Sequence, residues 1–172
     1  MTKVRLLKNG SEIFPAMHDS IDHAVSCVGL EMYIFADDGT GRAFRERLMS
    51  AAKRGVQVMV MVDAVGSWSL AESFWDELRK AGGLVRQFRP VWRGMYFLRN
   101  HRKLLLVDDR IAYISSVNIT DEYFRGSRGE PAWRDNAFEI TGLDVKRLRS
   151  SFDRMWARAE MPFRTVVLSL RQ

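Results

Sequence analysis

The spacing of apolar residues along the chain predicts helices that alternate with short buried strands. Between residues 12 and 26 the apolar side chains recur at helical intervals, so that Ile13, Met17 and Ile21 would share one face. Almost wholly apolar runs such as VGLEMYIF and VQVMVMVD are typical of strands that are buried on both faces. The predicted helices cover residues 12–26, 40–55, 69–83 and 144–159, and the predicted strands cover residues 28–35, 56–63, 84–88, 103–107, 110–114, 136–142 and 164–170.

Short-range signals support several of these boundaries. Ser69 opens a capping-box pattern at the start of the third helix, and Asp144 is suited to cap the last one. Asp108 and Asp109 separate two apolar runs, which indicates a β-hairpin. Strands that alternate with helices form a sheet covered on both faces, and a hairpin makes that sheet mixed. We therefore expect an α/β fold, a single α/β/α sandwich with a mixed sheet, over residues 1–172.

The charge of the chain favours anionic partners. Its formal net charge is +6 and its pI is about 9.8, which suits nucleic acid, acidic lipid or a phosphate ester. The charge is also uneven, because residues 78–107 contain no aspartate or glutamate. The basic residues of this window are Arg79, Lys80, Arg86, Arg89, Arg93, Arg99, Arg102 and Lys103.

Other features of the composition predict a cytoplasmic chain. No apolar run approaches the roughly 18 residues that a membrane span needs, and the start, MTKVRLLKNG, lacks the apolar stretch of a signal peptide. The single cysteine, Cys27, cannot form an internal disulfide, and we interpret it as a small buried hydrophobic residue. Any contact with the inner face of a membrane would be peripheral.

Polar residues with a common spacing flank the predicted hairpin. His101 and Lys103 are two residues apart before the first strand, and Ser116 and Asn118 repeat that spacing after the second. Residues two apart on a strand point to the same face. A histidine can act as nucleophile or acid near neutral pH, and a lysine supplies positive charge to a phosphate oxygen. The set suits phosphoryl transfer, although each residue alone could be ordinary surface decoration.

Two stretches carry a resemblance to a known family. HRKLLLVD followed by SSVN resembles the His-x-Lys-x4-Asp motif and trailing Ser-x-Asn element of the phospholipase D superfamily, and the downstream WRDNAFEITG is similar to that family as well. Residues 6–67 resemble the amino-terminal half of bacterial cardiolipin synthases. The likeness covers nearly the whole chain, so we expect one phospholipase D-like domain with a single motif.

This resemblance implies a mechanism. In the family, one motif histidine attacks the phosphodiester phosphorus and forms a phosphohistidine, and a second motif histidine protonates the leaving alcohol. Water or another alcohol then resolves the intermediate, and most members need no metal or other cofactor. The implied roles are nucleophile or acid for His101, phosphate binding for Lys103, Ser116 and Asn118, orientation of the histidine for Asp135, and local organisation of the motif for Asp108.

The chain departs from the family pattern in having only one motif. His18 and His23 lack a lysine two residues later, and we interpret both as solvent-facing residues of the first helix. A complete site would then need a homodimer in which two copies of His101 meet, or a second phospholipase D-like half. The alternation of arginine with aromatic residues in FRPVWRGMYFLRNHRK suits a bilayer, a nucleic acid or a simple packed loop.

Three functions therefore remain open at this point. The first is a cardiolipin synthase-like phosphatidyltransferase or phospholipase that acts on anionic phospholipid. The second is a single-motif endonuclease that works as a homodimer. The third is a non-catalytic half-enzyme that lacks its partner motif.

Overall fold

Seven strands form one mixed sheet in the computed structural model, which describes residues 1–88, 99–126 and 129–159. The strand order is β1-β7-β6-β5-β2-β3-β4. Strands β2, β3 and β4 are parallel to one another, and the other neighbours are antiparallel. The strands are β1 (Lys3–Lys8), β2 (Cys27–Met32), β3 (Gln57–Asp63), β4 (Leu84–Phe88), β5 (Leu104–Val107), β6 (Ile111–Ser115) and β7 (Asn136–Thr141).

Helices pack on both faces of this sheet. Buried side chains of α1, α2 and α3 share one apolar cluster with the sheet, and α5 packs over the other face. The helices are α1 (Asn9–Asp22), α2 (Gly39–Lys53), a 3₁₀ turn (Glu72–Trp75) that runs into α3 (Asp76–Lys80), α4 (Asp121–Phe124) and α5 (Asp144–Arg158). The expected α/β class with a mixed sheet is confirmed. The predicted strand over residues 164–170 lies outside the described residues.

The edge strand β1 was not predicted from the sequence. It pairs with β7 from Lys3 opposite Thr141 to Lys8 opposite Asn136. Only Leu7 of its six residues is buried, so the strand has neither an apolar run nor a clear alternation. Much of an edge strand stays in contact with solvent, as the exposed Val4 and Leu6 show, so it can form with little buried apolar surface.

The first helix begins where the chain leaves β1. Asn9 has φ of 61°, and its backbone N–H donates to the Asp135 carbonyl oxygen over 2.7 Å. Gly10 follows because a Cβ there would lie 2.0 Å from the Tyr123 carbonyl oxygen. The predicted helix over residues 12–26 is therefore present, shifted by about one turn toward the amino terminus.

Two predicted caps are wrong. The cap position of the 3₁₀ turn that starts at Glu72 is occupied by Ala71, and no side chain among residues with a described position caps this turn, so Ser69 does not form the predicted capping box. Asp144 is the first residue of α5 and accepts a hydrogen bond from the Thr2 hydroxyl over 2.7 Å instead of capping the helix. Asp38 does cap a helix, because its carboxylate accepts from the Gly41 N–H at the start of α2.

The hairpin between β5 and β6 is confirmed. Asp108 and Asp109 have φ of 53° and 51°, and the Arg110 N–H donates to the Val107 carbonyl oxygen over 3.0 Å. Left-handed values at both central residues are typical of a type I′ turn, and strand pairing resumes with Val107 opposite Ile111. Cys27 is buried in the neighbouring strand, as expected. Within the three described segments, no helix is long and apolar enough to cross a membrane.

His18 corrects the expectation that both helix histidines face solvent. His23 is exposed, but His18 is partly buried and its ring lies 4.3 Å from that of Phe44. Its Nε2 is buried and lacks a hydrogen-bond partner among the residues that the structure describes. Burial, together with the nearby Arg47 guanidinium, lowers the pKa of His18 to about 4. A charge on this ring is therefore disfavoured in the folded chain.

Candidate active site

The candidate residues lie together at one edge of the sheet, the edge that is formed by the ends of the strands. The carboxyl ends of β2 and β3 lie at this edge because the two strands are parallel. Strand β5 is antiparallel to β2, so its amino end lies there, and the same rule brings the end of β6 and the start of β7 to the same place. His101, Lys103, Ser116, Asn118 and Asp135 all belong to segments that enter or leave the sheet at this edge.

His101 and Lys103 form a close pair in a segment without regular secondary structure just before β5. The His101 ring is exposed, whereas Lys103 is only 6% exposed. The Lys103 ammonium donates to the His101 carbonyl oxygen over 3.1 Å and lies 3.4 Å from the ring Nδ1. The two side chains therefore share one side, as the spacing predicted, although β5 begins only at Leu104.

The environment of Lys103 is electrostatically unusual. Burial lowers the pKa of its ammonium group below the ordinary lysine value, and the charge of Asp135 acts in the opposite direction. A partly buried cation is less screened by water than an exposed one, so it attracts a phosphate oxygen more strongly. This is the arrangement that a phosphoryl group next to the His101 ring would need.

Tyr33 forms a wall of the site, although it is not among the residues that the sequence predicts to be functional. Its ring centroid lies 4.3 Å from that of His101, and the Lys103 ammonium lies 5.2 Å from the same ring. The Arg99 guanidinium reaches the Tyr33 hydroxyl at 3.3 Å. The available signal was the place of Tyr33 near the carboxyl end of the predicted strand over residues 28–35, although the structure ends this strand at Met32.

Ser116 and Asp135 are paired with each other. The Ser116 hydroxyl donates to the Asp135 carboxylate and lies 3.0 Å from the Asn136 carbonyl oxygen. Within the described part of the chain, Asp135 makes no hydrogen bond to the His101 ring. The resemblance implied that Asp135 orients this ring, and the structure gives the carboxylate a different partner.

Asn118 lies deeper in the site and is almost fully buried. Its side-chain oxygen accepts from the Ile34 N–H over 3.2 Å, and its amide nitrogen lies 3.5 Å from the Tyr123 hydroxyl. Tyr123 in turn packs edge-on against the exposed Trp133, with ring centroids 5.2 Å apart. Asn118 therefore connects the end of β6 with the segment that follows β2.

Asp108 does not join these residues. It follows the carboxyl end of β5, and four strand residues of about 3.3 Å each separate it from Lys103. Its carboxylate accepts the backbone N–H groups of Val25, Ser26 and Cys27. Burial acts to raise the pKa of Asp108, but these hydrogen bonds hold it below the ordinary value. A direct catalytic role for Asp108 is therefore not supported, and its contacts agree with local organisation of the motif.

Two further expectations concern metals and the basic aromatic segment. Among the residues with a described position, no three His, Cys, Asp or Glu side chains form a group that could hold a metal ion. Most of FRPVWRGMYFLRNHRK, from residue 89 to residue 98, lies outside the described residues.

A family model described as cardiolipin synthase, PLD-like domain, matches residues 17–156. The chain is 36% identical over 161 residues to a cardiolipin synthase of Geobacillus sp. (strain WCH70) and 36% identical over 166 residues to cardiolipin synthase A of Pseudomonas putida. These matches cover 90% and 93% of this chain but 32% and 34% of the relatives. The chain thus spans about a third of the length of the curated relatives that it matches.

Solved structures share the fold at lower sequence identity. NucT from Helicobacter pylori superposes with a TM-score of 0.74 at 18% identity, over 92% of this chain and 98% of that one. Nuc from Salmonella typhimurium, described as a phospholipase D family member, gives a TM-score of 0.69 at 18% identity, over 92% of this chain and 96% of that one. Phosphatidylserine synthase of Haemophilus influenzae Rd KW20 gives 0.66 at 14% identity, over 92% and 38%.

Proposed function

The chain belongs to the phospholipase D-like domain family of cardiolipin synthases, and from this membership we propose that it supplies one catalytic half of a phosphodiester transfer on anionic phospholipid. The observation that carries the proposal is the His101–Lys103 pair, with an exposed imidazole 3.4 Å from a buried ammonium group. Hydrolysis differs from transfer only in whether water or an alcohol is the final acceptor.

In the first step a ring nitrogen of His101 attacks the phosphorus with its lone pair. A nitrogen–phosphorus bond forms, the bond from phosphorus to the leaving oxygen breaks, and the electron pair goes to that oxygen. Lys103 balances the charge that develops on the non-bridging phosphate oxygens, and the side chains of Ser116 and Asn118 supply neutral hydrogen bonds nearby. To bind phosphate, the side chains of Ser116 and Asn118 would each have to give up a hydrogen-bond partner that they have in this structure.

During the first step an acid must give the leaving oxygen a proton as its bond to phosphorus breaks. In the second step the same group takes a proton from the incoming water or alcohol, whose oxygen attacks the phosphorus, while the nitrogen–phosphorus bond breaks and its electron pair returns to the His101 ring. The single motif of this chain provides one histidine for two roles. We therefore assign the second role to a histidine from another copy of the chain or from a second phospholipase D-like half. The relatives are about three times as long as this chain, which leaves room for such a half.

The proposal places the working enzyme at a membrane surface with peripheral contact. The net charge of +6 supports attraction to the anionic inner face of a cytoplasmic membrane. Trp133, which is exposed beside Tyr123 at the catalytic edge, is the kind of side chain that favours the headgroup region.

A homodimeric endonuclease is the second candidate. The solved chains from Helicobacter pylori and Salmonella typhimurium match this fold over 98% and 96% of their own length. A single unit of this size therefore occurs elsewhere as an almost complete chain, and a basic surface also suits nucleic acid. A non-catalytic half-enzyme is the third candidate.

One preparation of the chain can distinguish the three. We would assay vesicles of anionic phospholipid for headgroup release and lipid-to-lipid transfer, assay DNA for strand cleavage, and measure the molar mass in solution. Lipid turnover that His101→Ala abolishes would support the proposal. DNA cleavage without lipid turnover would favour the endonuclease, and a monomer inactive on both substrates would indicate a missing second half.

A further inference from the structure

Two carboxylates are buried directly beneath the catalytic segment. Glu31 of β2 and Asp63 of β3 are both 0% exposed, and Asn100, which precedes His101, is 2% exposed. The Asn100 side-chain amide donates to Glu31 over 2.6 Å, and its backbone N–H donates to Asp63 over 2.8 Å. Asn100 therefore anchors the segment before His101 through two hydrogen bonds, each to a different strand.

Each of these carboxylates has polar partners close to it. The Arg102 guanidinium lies 3.3 Å from the second oxygen of Glu31, while the second oxygen of Asp63 accepts from the N–H groups of Val65 and Gly66. Burial raises the pKa of Glu31, and the charge of Arg102 and the hydrogen bond from Asn100 act against this. The described partners of Glu31 thus come from the two neighbours of His101 in sequence.

Asp63 also supports the other wall of the site. The backbone at Gly66, to which it is bonded, passes so close to Tyr33 that a Cβ would lie 2.3 Å from the Tyr33 carbonyl oxygen. The Tyr33 ring is the surface against which the His101 ring packs. One buried carboxylate therefore fixes both the chain that carries His101 and the ring that it contacts.

We propose that Glu31, Asp63 and Asn100, here called the asparagine clasp, are positioning residues that hold the His101 ring and the Lys103 ammonium in register for attack on phosphorus. This inference rests on the proposed function and names a new part of the same site. Burying an unpaired carboxylate costs several kcal/mol. Apolar residues in the same positions often give a folded chain that is equally stable or more stable. A displacement of about 1 Å at a reacting group can lower a rate by about 100-fold, so we assign the clasp to geometry.

The test uses the histidine ring signals in NMR, because the chain has only three histidines. The ring C–H signals are assigned with the variants His18→Gln, His23→Gln and His101→Gln. Asn100→Ala removes one side-chain bond and leaves the backbone bond to Asp63. Glu31→Ala removes the acceptor, whereas Glu31→Gln keeps an oxygen for Asn100. Val145→Ala, a fully buried change in α5, is the control for general loss of stability.

We expect Asn100→Ala and Glu31→Ala to shift or broaden the His101 signal while those of His18 and His23 stay in place. Glu31→Gln should restore most of the native signal, and Val145→Ala should leave it unchanged. A native His101 signal in both alanine variants would overturn the inference, whether or not the chain turns over substrate. If Glu31→Ala does not fold, Asn100→Ala alone decides. Where the preparation is active, kcat of Asn100→Ala should fall at least tenfold, with KM changed less than twofold.

Discussion

Replacing His18 should make the folded chain less sensitive to acid. The pKa of this ring is lowered to about 4 by burial and by Arg47, whereas an unfolded chain has the ordinary value of about 6.5. Between these two pH values the unfolded chain binds a proton that the folded chain does not. Stability is therefore lost as the pH falls from about 6.5 to about 4, and below that range no further loss comes from this group.

The size of this effect follows from the two pKa values. At pH 5 the linkage relation gives about 2 kcal/mol of lost stability relative to pH 7.5, and we expect about 1–2 kcal/mol because the ring is only partly buried. In His18→Gln this loss should disappear. Arg47, which is also paired with Asp22, remains charged throughout this pH range.

The assay is urea unfolding followed by circular dichroism at pH 7.5 and pH 5.0. The control is His23→Gln. The His23 ring is exposed, and the residue lies at the carboxyl end of α1, the helix that also carries His18. The acid-induced change in the free energy of unfolding should be smaller in His18→Gln than in the native chain, and native-like in His23→Gln. An equal acid-induced loss in all three proteins would refute the reasoning.

Four further predictions concern the site and its motif. His101→Ala should abolish phosphodiester turnover with little change in Tm, because the ring is exposed; turnover near the native rate would contradict the assignment. Activity should persist in EDTA, because Lys103 supplies the positive charge; loss in EDTA with recovery on adding Mg²⁺ or Zn²⁺ would reveal a metal site. If the active unit is a homodimer, excess His101→Ala chain should suppress native activity after subunit exchange, whereas activity that tracks only the native chain would mean that each chain works alone. Asp108→Ala should lower the free energy of unfolding by about 2–3 kcal/mol, because three backbone N–H groups lose their acceptor, and chemical denaturation would measure it; a change below about 0.5 kcal/mol would contradict the structural role.

The sequence by itself determined the local parts of this protein. Helical and strand periods depend on neighbouring residues, so the buried strands β2 and β3 and the helices around them were predictable. The pairing of His101 with Lys103 was also predictable, since two residues separated by one can reach each other without any long-range contact. The resemblance to the phospholipase D superfamily was recognisable because its motif is a short, contiguous pattern. The matches to cardiolipin synthases confirm it.

Only the tertiary structure decided which distant residues meet. Tyr33 contacts His101, Asn100 contacts Glu31 and Asp63, and Asp108 lies at the far end of β5, all through the strand order and direction of the sheet. Two similar apolar runs in a sequence do not say whether their ends lie at the same edge of the sheet. The partial burial of His18 depends in the same way on packing against Phe44 of another helix, and helical spacing alone left its ring on the solvent side. Local spacing limits what a side chain can reach, and the long-range pairing of strands and helices decides what it touches.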